Sequence, residues 1–358
     1  MEKCVTAEHM TTLLPVKMDV CGQVKYHDPV HSLCISGGTH GNELNGVYLV
    51  KNWLKSEARE IQRNSFRTQV VLANPRATEQ CVRFTDVDLN RQITPENLFS
   101  SSESSEEKCL PYEIQRAREL YSQFQDESGE KGVDFWLDLH NTTANTGPFF
   151  IMSQTVGPFP LHLASHLQMK FPEIRIMFLK PGNFERLHLD GDQDKERKHA
   201  PPLKFPTGGV LDMGKEGFTL EMGPLANGIL NASMFNLAKE IIYGVLDIVE
   251  EFNNGKEFKE KEIEVFKPLG IIHYPADENS EITAMISPDL DGKDWKPLHP
   301  GDSLFLSFSG ETIPYTGHDV VWPVFINEAA YFRNNIALSI TTKEKVTVPA
   351  LKLKANQP

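Results

Sequence analysis

The sequence predicts an α/β fold: a mixed, mostly parallel central sheet flanked by helices, followed by a smaller β-rich domain. Three observations carry this. Short apolar runs, HSLCIS (31–36), TQVVLANP (68–75), VDFWLDLHN (133–141) and FTLEMGP (218–224), read as buried strands. Between them lie segments of helical periodicity, and strands alternating with helices build parallel sheets covered on both faces. Beyond residue 255 long helical patterns stop, and short alternating segments with turns take over (IIHYP, EITAMIS, HPGDSLFLSF, ETIPYTG, VVWPVFIN).

Taken in order, residues 1–30 lack clear periodicity and read as an N-terminal extension. The strand HSLCIS ends in Gly37-Gly38. Leu44, Val47, Tyr48, Val50, Trp53 and Leu54 then recur at helical spacing, with Asn42 as the expected N-cap. The run SSSESSEEK (100–108) reads as a solvated loop before a helix from Tyr112 to Phe124. Residues 181–209, polar and rich in Pro and Gly, read as a long surface loop of the kind that is often functional. An amphipathic helix from Asn231 to Phe252 has Gly255 as its stop. At 358 residues the chain exceeds what one hydrophobic core serves. The expected division is 1–30, an α/β domain at 31–255 and a β-rich domain at 256–358.

Composition excludes several function classes. A net charge of -13 argues against nucleic acid, which needs clustered Lys and Arg. Cys4, Cys21, Cys34, Cys81 and Cys109 are odd in number and lack CxxC spacing, so they read as reduced thiols rather than a disulfide framework. The N-terminus has no basic start followed by a long apolar core, and no apolar run reaches membrane-spanning length. A cytoplasmic protein is expected.

The stretch SGGTHGNELNG (36–46) raises the question of a site. It lacks the Lys-Ser/Thr of a phosphate loop and the G-x-G-x-x-G spacing of a dinucleotide fold. His40 and Glu43 stand three residues apart at a strand-to-helix turn, so both side chains can project to one side. H-x-x-E also arises by chance. His140 ends the strand FWLDLH, where α/β sheets place ligands, and with His40 and Glu43 it completes a two-His, one-Glu set. Asp138 shares the strand face of His140. It is either an outer carboxylate orienting a ligand or a buried partner of an arginine. Glu221, isolated in an apolar strand, is the candidate general base, with a solvent-facing residue as the plain alternative. Arg83, Asn90 and Arg91 in CVRFTDVDLNR suit an anion and a developing oxyanion, or else a surface salt-bridge cluster.

On GGTHGNELNGVYLVKNWL, LANPRA, DVDLNR, LPYEIQRARELY, LDLHNTTANTG, LEMGP, DWKPLHPGD and PVFINEAAYF, the chain resembles the aspartoacylase/aminoacylase-3 family of zinc amidohydrolases, relatives of the zinc carboxypeptidases. The resemblance runs from about Leu33 to Leu351 and implies a zinc-carboxypeptidase-like catalytic domain with a C-terminal cap. It implies one Zn2+ bound by His40, Glu43 and His140, with Glu221 as the base and Arg83 polarising the scissile carbonyl. Asn90 and Arg91 would hold the α-carboxylate of an N-acyl amino acid, the small-molecule substrate. Asn141 would contact it, and Tyr331 would reach in from the cap, supported by Glu328.

The departures concern substrate choice. Aspartoacylase grips its substrate's side-chain carboxylate with an arginine ten residues before the catalytic glutamate, where this chain has Leu211. Arg186 or Arg197 in the long loop could substitute, and NEAAYFRNN lacks the paired lysines of aspartoacylase, with Arg333 nearby. LANP, HNTTAN and VTVPAL look more like aminoacylase-3, which deacylates N-acetyl aromatic amino acids and mercapturates. DENSEITAMI and DWKPLHPGD look more like aspartoacylase. The expectation is deacylation of N-acyl-L-amino acids with aromatic or apolar side chains. Aspartoacylase activity is the alternative, and an inactive binding protein of the same fold is the alternative of another class. Oligomeric state, with dimer and tetramer among the options, is left open.

Overall fold

The computed structural model describes residues 24–99, 110–126, 129, 131–179, 182–183, 204–205 and 209–355. Residues 1–23 of the extension, the SSSESSEEK loop, and most of the 181–209 loop with Arg186 and Arg197 lie outside them. Lys25–His27, within the extension, forms a short strand running parallel to Leu351–Leu353.

Nine strands form the main sheet: β1 (Ser32–Gly37), β2 (Arg67–Leu72), β3 (Val133–Asn141), β4 (Gly147–Ser153), β5 (Arg175–Leu179), β6 (Gly214–Gly223), β7 (Lys261–His273), β8 (Trp322–Val324) and β9 (Ile336–Val348). Their order across the sheet is β8-β9-β7-β5-β4-β6-β3-β1-β2. The block β2-β1-β3-β6 is parallel throughout, as are β4-β5 and β5-β7. β4 runs antiparallel to β6, and β9 antiparallel to β7 and β8. The sheet is therefore mixed and mostly parallel, as the sequence pattern predicts. Strands in such a sheet are buried on both faces, and in β3 the consecutive residues Phe135, Trp136 and Leu137 are all fully buried.

The helices α1 (Leu44–Lys55), α2 (Tyr112–Phe124), α3 (Pro158–Lys170) and α4 (Ala232–Asn253) flank this sheet. On one face Leu49 and Trp53 of α1, Leu163 and Leu167 of α3, and Ile241 and Val245 of α4 pack on Leu33, Ile35, Phe135 and Leu137. On the other, Ala117, Leu120 and Phe124 of α2 pack on Cys34 and Trp136. Each such fully buried large side chain is worth about 1.5–3 kcal/mol. The rest of that second face is covered from the C-terminal side of the chain. There Phe149, Ile151 and Met177 cluster with Phe266 of β7 and Val324 of β8, and Phe325, Trp295 and Tyr331 pack with them. A separate core around Ile272, Ala284, Leu304, Phe305 and Leu338 holds the C-terminal strands together. No helix among the described residues is long and apolar enough to cross a membrane.

Two element ends need comment. α4 begins as expected, the Asn231 side chain accepting a hydrogen bond from the Met234 N–H at 3.0 Å, and Gly255 follows it in the left-handed region at φ +94°. α1 begins differently from the sequence expectation. The residue in its cap position is Glu43, which makes no side-chain cap bond, and the Asn42 Oδ1 is buried without a partner. The turn instead aims the Glu43 carboxylate away from the helix, toward His40. Two glycines make this turn possible. Gly38 has φ +71°, and a Cβ on Gly41 would lie 2.1 Å from the Ala77 carbonyl carbon.

Gly41→Ala is therefore expected to destabilise the fold by about 1–3 kcal/mol in denaturant unfolding, the usual cost of forced overpacking. A change of a few tenths of a kcal/mol would show that the turn relaxes freely.

Candidate active site

The turn after β1 and the end of β3 bring three donors together. His40 Nδ1 lies 2.6 Å from Glu43 Oε1, and His140 Nδ1 lies 3.1 Å from Glu43 Oε2. The two Nδ1 atoms face each other at 3.1 Å. All three residues are buried, and their donor atoms lie within 4.8 Å of one another. Tetrahedral zinc with nitrogen ligands at about 2.0–2.1 Å needs ligand atoms roughly 3.3 Å apart. Two unprotonated ring nitrogens this close repel unless a proton or a cation sits between them. The set fits a divalent metal.

The far side of each ring supports that reading. His140 Nε2 is 2.6 Å from Asp138 Oδ2, and His40 Nε2 is 3.1 Å from Asp88 Oδ1. Each imidazole thus turns Nε2 to a carboxylate and Nδ1 to the common point, which is how an outer carboxylate fixes the tautomer of a ligating histidine. Asp138 is fixed in turn by the Ser36 and Thr39 hydroxyls, which donate to its Oδ1 at 2.6 and 2.9 Å. The Asn141 backbone N–H donates to Glu43 Oε2 at 2.9 Å and holds the third donor. Charge follows geometry. Burial would raise the Glu43 carboxyl, but the two histidines hold it well below the ordinary range. Burial would likewise lower His140, yet Asp138 and Glu43 raise it well above the usual value.

The loop after the helix Pro75–Gln80 supplies the cationic side. Arg83 reaches Glu43 Oε1 and Asp88 Oδ2, each at 3.4 Å, and its carbonyl accepts from the Gly41 N–H at 3.2 Å. Asn90 uses its Oδ1 to accept the Val210 N–H at 3.2 Å, and Arg91 lies beside it. On the sheet, Glu221 of β6 is the in-register neighbour of His140, so the two side chains share a face. Glu221 Oε2 is buried without a hydrogen-bond partner. Burial above all, with Glu43 and Glu328 adding to it and His140 and Arg83 opposing, pushes its pKa up to about 8.

The C-terminal side closes the site. Glu328 is buried and accepts from the Thr142 hydroxyl, the Thr143 N–H at 2.8 Å and the Ala330 N–H at 3.0 Å. It joins the loop after β3 to the segment carrying Tyr331, whose N–H donates to the Glu328 carbonyl at 3.0 Å. Burial holds the Tyr331 hydroxyl well above its usual pKa, so it remains a proton donor.

A cavity of about 270 Å³ is lined by His40, Arg83, Asn90, Arg91, His140, Glu221 and Tyr331 together. Ile151, Leu179, Leu211 and Phe325 give it an apolar wall. Of the residues expected to touch substrate, only Asn141 is not part of this lining. Its strand neighbour His140 faces the cavity, and alternation along β3 turns Asn141 the other way. Sequence reasoning missed Asp88. Its place two residues before Asn90 was visible, but only the fold shows which ring it faces.

Sequence and fold are those of a family of hydrolases. Residues 29–249 match the family model "Succinylglutamate desuccinylase/Aspartoacylase catalytic domain", and 261–343 match "AstE/AspA barrel-sandwich hybrid domain". The chain belongs to the succinylglutamate desuccinylase/aspartoacylase family. Among individual proteins, it is 37% identical to the human N-acyl-aromatic-L-amino acid amidohydrolase (carboxylate-forming), over 93% of this chain and 97% of that one. It is 37% identical to the Danio rerio aspartoacylase, over 89% and 94% of the two chains. The crystal structure of murine aminoacylase 3 superposes with a TM-score of 0.80 at 37% identity, covering 91% of this chain and 99% of the other.

Asp138→Asn and Asp88→Asn are each expected to weaken divalent metal binding by about 10–100-fold, read by competition with a chelator. Unchanged affinity in both would mean that the rings are oriented without them. In chelated protein, Glu221→Gln should stabilise the fold at pH 8. Its raised pKa means that the unfolded chain ionises first as pH rises, so the wild type loses stability between about pH 4.5 and 8. Below about pH 4 both forms are neutral and the thermal-melt difference should vanish.

Proposed function

We propose that the protein is a zinc-dependent amidohydrolase that deacylates N-acyl-L-amino acids with aromatic or apolar side chains, releasing a carboxylate and the free amino acid. The observation that carries this is one cavity holding both the buried His40–Glu43–His140 cluster and the unpartnered carboxylate oxygen of Glu221. A zinc ion on that cluster would supply a Lewis acid and lower the pKa of a water toward about 7. The roles of the chain's own groups follow from position. Glu221 Oε2, with no competing partner, takes the proton of the attacking water and returns it to the leaving amine nitrogen. Arg83, anchored on Glu43 and Asp88, points its guanidinium at the carbonyl oxygen as negative charge develops there. Asn90 and Arg91 bind the α-carboxylate, Arg91 by a charge-assisted pair. Tyr331 donates its hydroxyl from the capping side.

Side-chain preference rests on the charges around the cavity. Among its described lining residues the only permanent cations are Arg83 and Arg91, and both already have tasks. A second substrate carboxylate would face Leu211, Leu179, Ile151 and Phe325, where an unpaired buried charge is costly. This ranks aromatic and apolar side chains above aspartate, in keeping with the name of the human relative. Asn141 acts on Glu43 through its backbone, with no substrate contact assigned to it. We assign the chemistry to residues 31–255 and the cap to 256–358, and place the protein in the cytoplasm, where Cys34 and the exposed Cys81 would stay reduced.

Rates on N-acetyltyrosine, an S-substituted N-acetylcysteine and N-acetylaspartate, with and without chelator, test the reading. Chelation should abolish turnover, and the first two substrates should be preferred. A clear preference for N-acetylaspartate would overturn the ranking. Glu221→Ala should lose at least about 10³ in kcat while retaining metal; near-normal turnover in that variant would remove it as the base.

A further inference from the structure

Outside the cavity, one fully buried carboxylate has no part in the chemistry above. Glu113, in the first turn of α2, accepts five hydrogen bonds. Its Oε1 takes the Thr85 N–H at 2.7 Å, the Thr85 hydroxyl at 2.6 Å and the Asn74 side-chain amide at 3.2 Å. Its Oε2 takes the Asp86 and Val87 N–H groups at 3.0 and 3.1 Å. A carboxylate offers about four lone-pair positions, so Glu113 is saturated. The clamp is reciprocal, because Asp86 Oδ2 accepts the Tyr112 N–H at 2.8 Å and caps the helix that carries Glu113.

The three residues so fixed stand between Arg83 and Asp88. Arg83 lies two positions before Thr85, and Asp88 directly follows Val87. Asn74 also ties this hub to the turn after β1, since its N–H donates to the Gly38 carbonyl at 3.0 Å. We propose that Glu113 is a positioning residue for catalysis: by holding residues 85–87 it sets where the Arg83 guanidinium stands in the site. The inference rests on the amidohydrolase reading for Arg83. Displacing a catalytic group by about 1 Å from a remote position can cost 10²-fold in rate.

The test is a double-mutant cycle of Glu113→Gln with Arg83→Ala, assayed on N-acetyltyrosine, with melting temperature and metal content measured alongside. Glu113→Gln keeps the side chain's size but turns an amide NH₂ toward N–H donors. It should lower kcat about 10- to 100-fold at near-normal metal content. In the Arg83→Ala background, which keeps roughly 10⁻² to 10⁻³ of the rate, the further loss should be under about threefold. Losses that multiply, or no loss from Glu113→Gln alone, would overturn the proposal. Should Glu113→Gln not fold, Thr85→Val takes its place in the same cycle and is read the same way. If the wild type cleaves no N-acyl amino acid, the function reading fails on its own. Glu113 is then judged by hydrogen exchange at the amides of residues 85–87: faster exchange in the variant supports the hold, and unchanged exchange refutes it.

Discussion

The in-register pairing of β3 with β6 is the constraint on which the site depends. It sets His140 directly beside Glu221. Because side chains alternate along a strand, that register also decides that Asp138 and Thr219 share their face. A slip of one residue would turn one strand's pair to the opposite side, into the packing of α1, α3 and α4, and separate His140 from Glu221. The register is held by Phe135, Leu137, Phe218 and Leu220, which occupy that opposite face in the main core. Hydrophobic burial on one side of the sheet therefore aligns the polar chemistry on the other.

Electrostatically the site is a balance of buried acids around two imidazoles and a guanidinium. Glu43 and Asp88 touch His40, His140 or Arg83 and stay anionic because those partners offset the cost of burial, while Asp138 pairs with His140. Glu221 faces the same cavity without a hydrogen-bonded partner at Oε2, and its proton affinity rises accordingly. Carboxylates in one small volume thus divide into ones paired with a cationic or imidazole partner and one whose pKa is raised, separated by what each one touches.

Much of this was legible in the sequence, and the limits have physical reasons. The apolar runs around 133–141 and 218–224 announce strands because parallel strands must be apolar on both faces, and the polar residues interrupting them stand out as a site. His40, Glu43, His140, Glu221, Arg83, Asn90, Arg91 and Tyr331 meet in space as anticipated. The N-cap at Asn42 was misplaced because capping statistics do not know that Glu43 is turned toward a second histidine. Asp88 and Glu113 escaped notice because a carboxylate in a loop or a first helical turn looks like an ordinary solvated acid or cap. Only the folded chain, with Glu113 fully buried, distinguishes it from one.

The main sheet does not stop where the long helical patterns stop. β7 continues it beyond β5, and β9 and β8 continue it further, so the C-terminal segment grows from strands hydrogen-bonded into the sheet that carries His140 and Glu221. Phe325 and Tyr331 therefore sit over the cavity on a frame fused to its floor rather than on a hinged lid. Among the described residues, this wall of the cavity is thus carried by the same sheet that carries His140 and Glu221. On this side, discrimination by size would then act as a standing sieve.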